Sequence, residues 1–150
     1  MEELAQSSCI SLGIATIDNA HKILTRELVA ILNAPDHEFT RCFQRISRLL
    51  ESSFREEEEL MERIAYHDLR AHREQHAALL SALHHIIPKV MNGDYVLSRQ
   101  ILSMLPQWFL GHLVKMDAAL IKALAAAGAQ PIPRAYALPT QRGSHFCIDE

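Results

Sequence analysis

The sequence predicts an all-α protein, an up-down-up-down four-helix bundle with an N-terminal arm and an irregular C-terminal tail. Apolar residues recur at helical spacing in four long segments, and none of these segments shows the alternation of a β-strand. The connections between them are short, which makes consecutive helices antiparallel neighbours. At 150 residues the chain can bury a sizeable core in one domain. We expect the bundle to span residues 1–128 and the irregular extension residues 129–150.

Proline and turn residues set the expected helix ends. The helices are predicted at about residues 17–32, 37–64, 69–90 and 96–126. Pro35 ends the first, because proline disfavours helical geometry in the residue before it. Asp68 is a candidate N-cap for the third helix, and Asn92-Gly93-Asp94 should end that helix in a turn. Pro106 is expected to kink or divide the fourth.

Composition argues against several function classes. The net charge is −3, and no basic stripe with interleaved aromatic residues is present, so we expect no nucleic-acid partner. No apolar run approaches the roughly 20 residues needed to cross a bilayer, and the acidic N-terminus lacks the features of a signal peptide. Cys9, Cys42 and Cys147 are odd in number and widely spaced, which argues against a disulfide framework. We therefore expect a cytoplasmic protein with reduced thiols and no membrane association.

One level of the predicted bundle collects histidines and acidic residues. His72 and His76 stand four residues apart, so both imidazoles project from one face of the third helix. In an antiparallel pair that turns near residues 64–65, Glu57 lies level with His72 and Ser53 lies level with His76. The neighbouring Glu58 belongs to a run of glutamates that we expect to be solvated or to support the residues beside them.

The first and fourth helices add three more polar residues. His21 comes from the first, and His112 and Asp117 come from the fourth. The last two are five residues apart, which is off the one-face spacing, so their pairing needs the reach of the carboxylate or a local distortion of the helix. Imidazoles and carboxylates gathered inside a bundle suit a metal, because unpaired buried charge is costly.

Four motifs run in order over roughly residues 13–120. They are Gly13-Ile-Ala-Thr-Ile-Asp18-Asn-Ala-His21-Lys22, Phe54-x-x-Glu57-Glu58-x-x-Met61, His72-x-x-x-His76 and Trp108-x-x-x-His112-x-x-x-x-Asp117. Together they resemble the hemerythrin family, in particular its single-domain bacterial members. The resemblance implies two non-haem iron ions joined by an oxygen-derived bridge, with dioxygen binding at the iron that has fewer histidines. It implies the ligands His72, His76 and His112 for one iron, His21 for the other, and Glu57 and Asp117 as bridges.

The chain departs from the family pattern at one ligand position. The family has His-Phe-x-x-Glu, whereas this chain has Ser53 before Phe54 and Glu57. A serine hydroxyl is too short and too weakly basic to replace an imidazole. His67 lies 14 residues from Ser53 across the interhelical turn, and His84 and His85 lie eight or more residues past His76, so none of them is a good replacement. The second iron would then keep His21 and the two bridging carboxylates, with further positions open to water or an exogenous ligand.

Three function classes fit this pattern. The leading hypothesis is a non-haem diiron protein that binds dioxygen or a related small diatomic ligand, for oxygen binding, storage or sensing. A diiron enzyme acting on peroxide or nitric oxide is an alternative, because an iron with fewer protein ligands can admit peroxide. A bundle that lost one metal site, serving as a mono-metal or structural protein, is the third. Iron content and the optical spectrum in air would separate them.

Overall fold

A computed structural model describes residues 15–128 of the chain. The elements are α1 (Ala15–Leu32), α2 (Asp36–Arg63), α3 (Leu69–Met91), α4 (Val96–His112), a π-helical segment (Leu113–Asp117) and α5 (Ala118–Ala126). The last three follow one another without a break and form one long arm, so the described residues contain four helical arms and no strand. The predicted all-α four-helix bundle is confirmed. The expected N-terminal arm and C-terminal tail lie outside the described residues, and the domain bounds stay a prediction.

The two turns at the ends of α3 share one hydrogen-bonding pattern. After α2, the Tyr66 N–H donates to the Met61 carbonyl at 2.9 Å while Ala65 takes a left-handed φ of 50°. After α3, the Asp94 N–H donates to the Lys89 carbonyl at 2.9 Å, and Gly93 takes a φ of 77°. Each pattern is a Schellman motif, which satisfies the last carbonyls of a helix. Both turns send the chain back along the helix it has just left.

The arms close into a ring. Helix α1 packs against α2 and α4, and α3 packs against the same two neighbours. Two apolar clusters fill the interior. The larger is built around the fully buried Ile31, Phe39, Leu83 and Ile86, and the smaller contains Ile17, Met61, Leu120 and Leu124. In each arm the chain passes from one cluster to the other, and the residues between them are those that the sequence singled out as polar.

Two details differ from the sequence-based expectations. Pro106 does not divide the fourth arm, because α4 continues through it to His112. Proline has a φ that a helix accepts, and the buried Leu102 and Leu105 hold this part of α4 in the core. Asp68 precedes α3 without capping it by its side chain, since its carboxylate lies 3.1 Å from His67 Nε2. Among residues 15–128, no helix is both long and apolar enough to cross a bilayer.

Candidate metal centre

The polar level between the two apolar clusters is deeply buried. His21 and Glu57 are 7% and 5% exposed, and the four other predicted ligands are 3% exposed or less. Each arm contributes at least one of them: His21 from α1, Glu57 from α2, His72 and His76 from α3, and His112 and Asp117 from α4 and the π-helical segment. Buried polar groups need partners, and the polar groups nearest to these side chains are other members of the same cluster.

Three imidazoles converge through the same ring nitrogen. His112 Nε2 lies 3.1 Å from His72 Nε2 and 3.1 Å from His76 Nε2. Three nitrogens at this separation cannot all be satisfied by mutual hydrogen bonds, because a neutral imidazole carries a single N–H. The arrangement is that of three donor atoms directed at a common point.

The carboxylates of Glu57 and Asp117 each face in two directions. Asp117 Oδ1 lies 3.1 Å from Nε2 of both His72 and His112, whereas Asp117 Oδ2 lies 3.1 Å from His21 Nε2. Glu57 Oε2 lies 3.3 Å from His76 Nε2, and Glu57 Oε1 lies 3.9 Å from His21 Nε2. One oxygen of each carboxylate therefore belongs with the three-histidine group and the other belongs with His21.

The π-helical segment explains how residues five apart share one face. The N–H of Ala118 bonds to the Leu113 carbonyl, five residues back. A π-helical turn holds more residues than an α-helical one, so a spacing of five brings Asp117 level with His112. This is the local distortion that the sequence spacing required, and π-helical turns within α-helices are frequent at functional sites.

Unsatisfied polar atoms test whether the residues fit a cation. Buried atoms without a hydrogen-bond partner within residues 15–128 include both Asp117 oxygens, Glu57 Oε2 and His21 Nε2. These atoms lie close to one another, yet none of them has a hydrogen-bond partner within the described residues. Two groups of donor atoms are compact enough to hold a metal, Glu57 with His72, His76 and His112, and His21 with Glu57 and Asp117. Each group therefore has the residue types and the spacing to hold a cation, and Glu57 belongs to both groups.

Charged groups within the cluster shift the pKa values of His72 and Asp117. Burial opposes protonation of His72, but the carboxylates of Asp117 and Glu57 outweigh it and raise the pKa of His72 to about 9. Burial likewise opposes ionisation of Asp117, but His112, His21 and His72 hold the pKa of Asp117 well below its usual range. The protonated form of His72 is thus favoured beside these two carboxylates. A cation bound at His72 Nε2 has to displace that proton.

Aromatic rings enclose the centre. The Phe54 ring stacks on His76 with centroids 3.8 Å apart, and Trp108 stacks on His112 at 4.8 Å. Phe109 meets His21 edge-on at 5.5 Å. Together with the fully buried Met61, they form an apolar layer around the polar level. This packing limits the access of water to the polar level.

Ser53 lies within α2 and is 3% exposed. It stands one helical turn before Glu57, on the same face of the helix. The histidines outside the motifs do not replace the missing imidazole. His67 lies beside Asp68 and is 80% exposed, and His84 bonds to Glu51 and is 52% exposed.

One polar contact of the centre was only loosely anticipated. Glu58, expected to be solvated or to support a ligand, lies 3.0 Å from His76 Nδ1 through Oε1. Its other oxygen, Oε2, accepts a hydrogen bond from Arg73 Nε at 2.9 Å. The sequence does not distinguish Glu58 from the three glutamates beside it, and Arg73 is not one of the specified motif residues, so this contact could not be predicted.

Comparisons with known proteins agree with this geometry. Residues 12–124 match the sequence model of the family described as Hemerythrin HHE cation binding domain. A protein named Bacteriohemerythrin from Ralstonia nicotianae is 28% identical over 128 residues, covering 85% of this chain and 93% of its own length. The crystal structure of a leucine-to-phenylalanine mutant protein superposes with a TM-score of 0.68 at 19% identity, covering 75% of this chain and 88% of the other, which supports the fold alone. With a family match over most of its length and a cluster of histidine and carboxylate side chains able to hold metal, this chain belongs to the hemerythrin family.

Proposed function

We propose that this chain binds a pair of iron ions and, at that pair, dioxygen or a related small ligand, in oxygen binding, storage or sensing. One observation carries the proposal: Asp117 and Glu57 each direct one oxygen to the three-histidine group and the other to His21. Carboxylates in this position can span two cations and offset their charge. The family match and the Bacteriohemerythrin relative support the same reading.

In this proposal, His72, His76 and His112 hold one ion and His21 holds the other. Imidazole and carboxylate ligands together suit iron, which would supply the redox change that dioxygen binding requires. The two carboxylates balance charge in a level that is otherwise apolar. The aromatic shell around His76, His112 and His21 keeps the surroundings dry, which limits proton access to a bound ligand.

The two halves of the proposed centre are unequal. Three imidazoles serve one half, whereas His21 stands alone with its share of Glu57 and Asp117. Ser53 occupies the position that the family pattern gives to a further histidine. The His21 half would therefore keep more positions open to exogenous ligands. This asymmetry favours a second candidate function, a diiron enzyme acting on peroxide or nitric oxide.

Metal content and the response to air test the proposal. After anaerobic reconstitution with ferrous iron we expect two iron ions per chain, one for each donor group. Mixing with air should produce a visible absorption, and removing oxygen should reverse it if the chain binds dioxygen. Consumption of added peroxide over many cycles would favour the enzyme instead. Saturation at one iron per chain would contradict the paired centre.

A further inference from the structure

The three converging histidines differ in the hydrogen-bond partners of their Nδ1 atoms. Their Nε2 atoms point at the common centre, so each Nδ1 faces away from it. His72 Nδ1 and His112 Nδ1 are buried and have no hydrogen-bond partner within residues 15–128. His76 Nδ1 instead lies 3.0 Å from the Glu58 carboxylate, and the His76 side chain is 1% exposed. Of these three histidines, His76 is therefore the one whose Nδ1 atom is paired with a carboxylate within residues 15–128.

The Glu58 contact dictates the tautomer of His76. A carboxylate only accepts hydrogen bonds, so it requires the hydrogen of His76 on Nδ1. The lone pair is then left on Nε2, which is the atom that faces the centre. A carboxylate behind an imidazole also fixes the ring orientation and raises the basicity of the ligand nitrogen.

Glu58 is itself held in place from the surface. Arg73 Nε donates to Glu58 Oε2 at 2.9 Å, and an Arg73 terminal nitrogen donates to Glu62 Oε1 at 2.6 Å. Glu58 and Glu62 are one helical turn apart on α2, and Arg73 follows His72 on α3. The Arg73 side chain is 44% exposed, so this ion-pair network adds little stability. Its effect is to aim the Glu58 carboxylate at His76.

We infer that Glu58 is a positioning residue for the metal centre, held by Arg73 and setting the tautomer and orientation of His76 without binding metal itself. The inference rests on the proposed function in assuming that His76 Nε2 is a metal ligand. The tautomer of His76 in the metal-free protein is a consequence that does not depend on metal.

Cobalt(II) binding to the full chain tests this role, because the ion gives a visible spectrum and resists oxidation by air. In Glu58→Gln the side chain keeps its shape but loses its charge, and its amide no longer dictates one tautomer. We expect the dissociation constant for cobalt to rise about ten- to a hundredfold. Glu62→Gln is the matched control, since it lies on the same helix, contacts the same arginine and does not touch His76; its effect should be less than about fivefold.

Nitrogen-15 NMR of the histidine rings in the metal-free wild type gives the independent readout. We expect His76 to carry its hydrogen on Nδ1, and we expect Glu58→Gln to lose that preference. Cobalt affinity of Glu58→Gln equal to that of the wild type would overturn the inference, as would a wild-type His76 with its hydrogen on Nε2. Should Glu58→Gln fail to fold, the wild-type tautomer decides. A wild type that binds no metal would contradict the proposed function. The tautomer of His76 is measured without metal, so it tests the role of Glu58 separately from that function.

Discussion

Ser53 is the residue that distinguishes the proposed metal centre from the family pattern. It is buried at 3% exposure on the face of α2 that carries Glu57, so a longer side chain at position 53 would reach toward the polar level. The hydroxyl cannot act as an imidazole does, because it is shorter and far less basic. The consequence falls on the His21 half of the proposed centre, where additional positions stay open to water and small anions.

Ser53→His should restore the family pattern. An imidazole at position 53 would leave fewer open positions and restrict access of water and protons, so the absorption that develops in air should decay several-fold more slowly than in the wild type. Stopped-flow absorbance of the reduced, iron-loaded proteins measures this decay. Ser52→His is the control, because Ser52 lies next along α2 and projects about 100° away. Equal lifetimes in wild type and Ser53→His would show that another group controls the decay.

At the scale of single elements, the π-helical segment decides whether His112 and Asp117 can act together. In a regular α-helix a spacing of five turns the second side chain well away from the first, whereas a spacing of four keeps both on one face. The segment absorbs one additional residue within the fourth arm. It thereby joins the register of α4, which faces the larger apolar cluster, to that of α5, which faces the smaller one.

Deleting one exposed residue inside the segment should therefore be tolerated. Without Lys115, His112 and the aspartate stand four apart in a regular α-helix and still share a face, and the apolar face of α5 keeps its register. Without the exposed Gln107 of α4, every later residue rotates by about 100° relative to the core. We expect the Lys115 deletion to retain most helicity and metal binding and the Gln107 deletion to lose both. Circular dichroism and metal content of the two variants make the comparison, and equal losses would contradict it.

At the scale of the whole molecule, the proposed metal centre links all four arms. Its six side chains come from α1, α2, α3 and the long fourth arm, and they lie together only in the folded bundle. A cation that binds this state and not the unfolded chain stabilises the fold by mass action. Metal and bundle are expected to be thermodynamically coupled.

Thermal unfolding measures the coupling. At a free metal concentration about a hundred times the dissociation constant, binding should add roughly 3 kcal/mol and raise the melting temperature by about 5–10 °C. His72→Ala should remove most of this increment, because His72 belongs to the three-histidine group. His84→Ala should keep it, since that exposed side chain bonds to Glu51 on the surface. If His72→Ala bound no metal and still showed the full rise in melting temperature, the proposed coupling of metal binding to folding would be contradicted.

Much of this arrangement follows from local sequence patterns. The 3.6-residue period and the turn residues predict all four arms to within a few residues, because helix formation and helix ends depend on neighbours along the chain. The same periodicity predicts that Ser53 and Glu57 share a face. His72 and His76 likewise share one. The motif order then points to the hemerythrin family. The expected division of the fourth helix at Pro106 was wrong, because core packing keeps that helix continuous. The expected N-cap at Asp68 was wrong, because its carboxylate pairs with His67 instead.

The remaining features depend on contacts between residues distant in the chain. The spacing of His112 and Asp117 required a distortion but could not specify a π-helical turn, because the core on both sides of the centre fixes that choice. Which oxygen of Glu57 faces which histidines is set by the packing of four arms. The pairing of Glu58 with His76 and Arg73 arises where α2 and α3 lie side by side. The sequence by itself determined the helices and the residue types of the centre. The tertiary structure decided which atom of each side chain faces which neighbour, because that depends on how the helices pack.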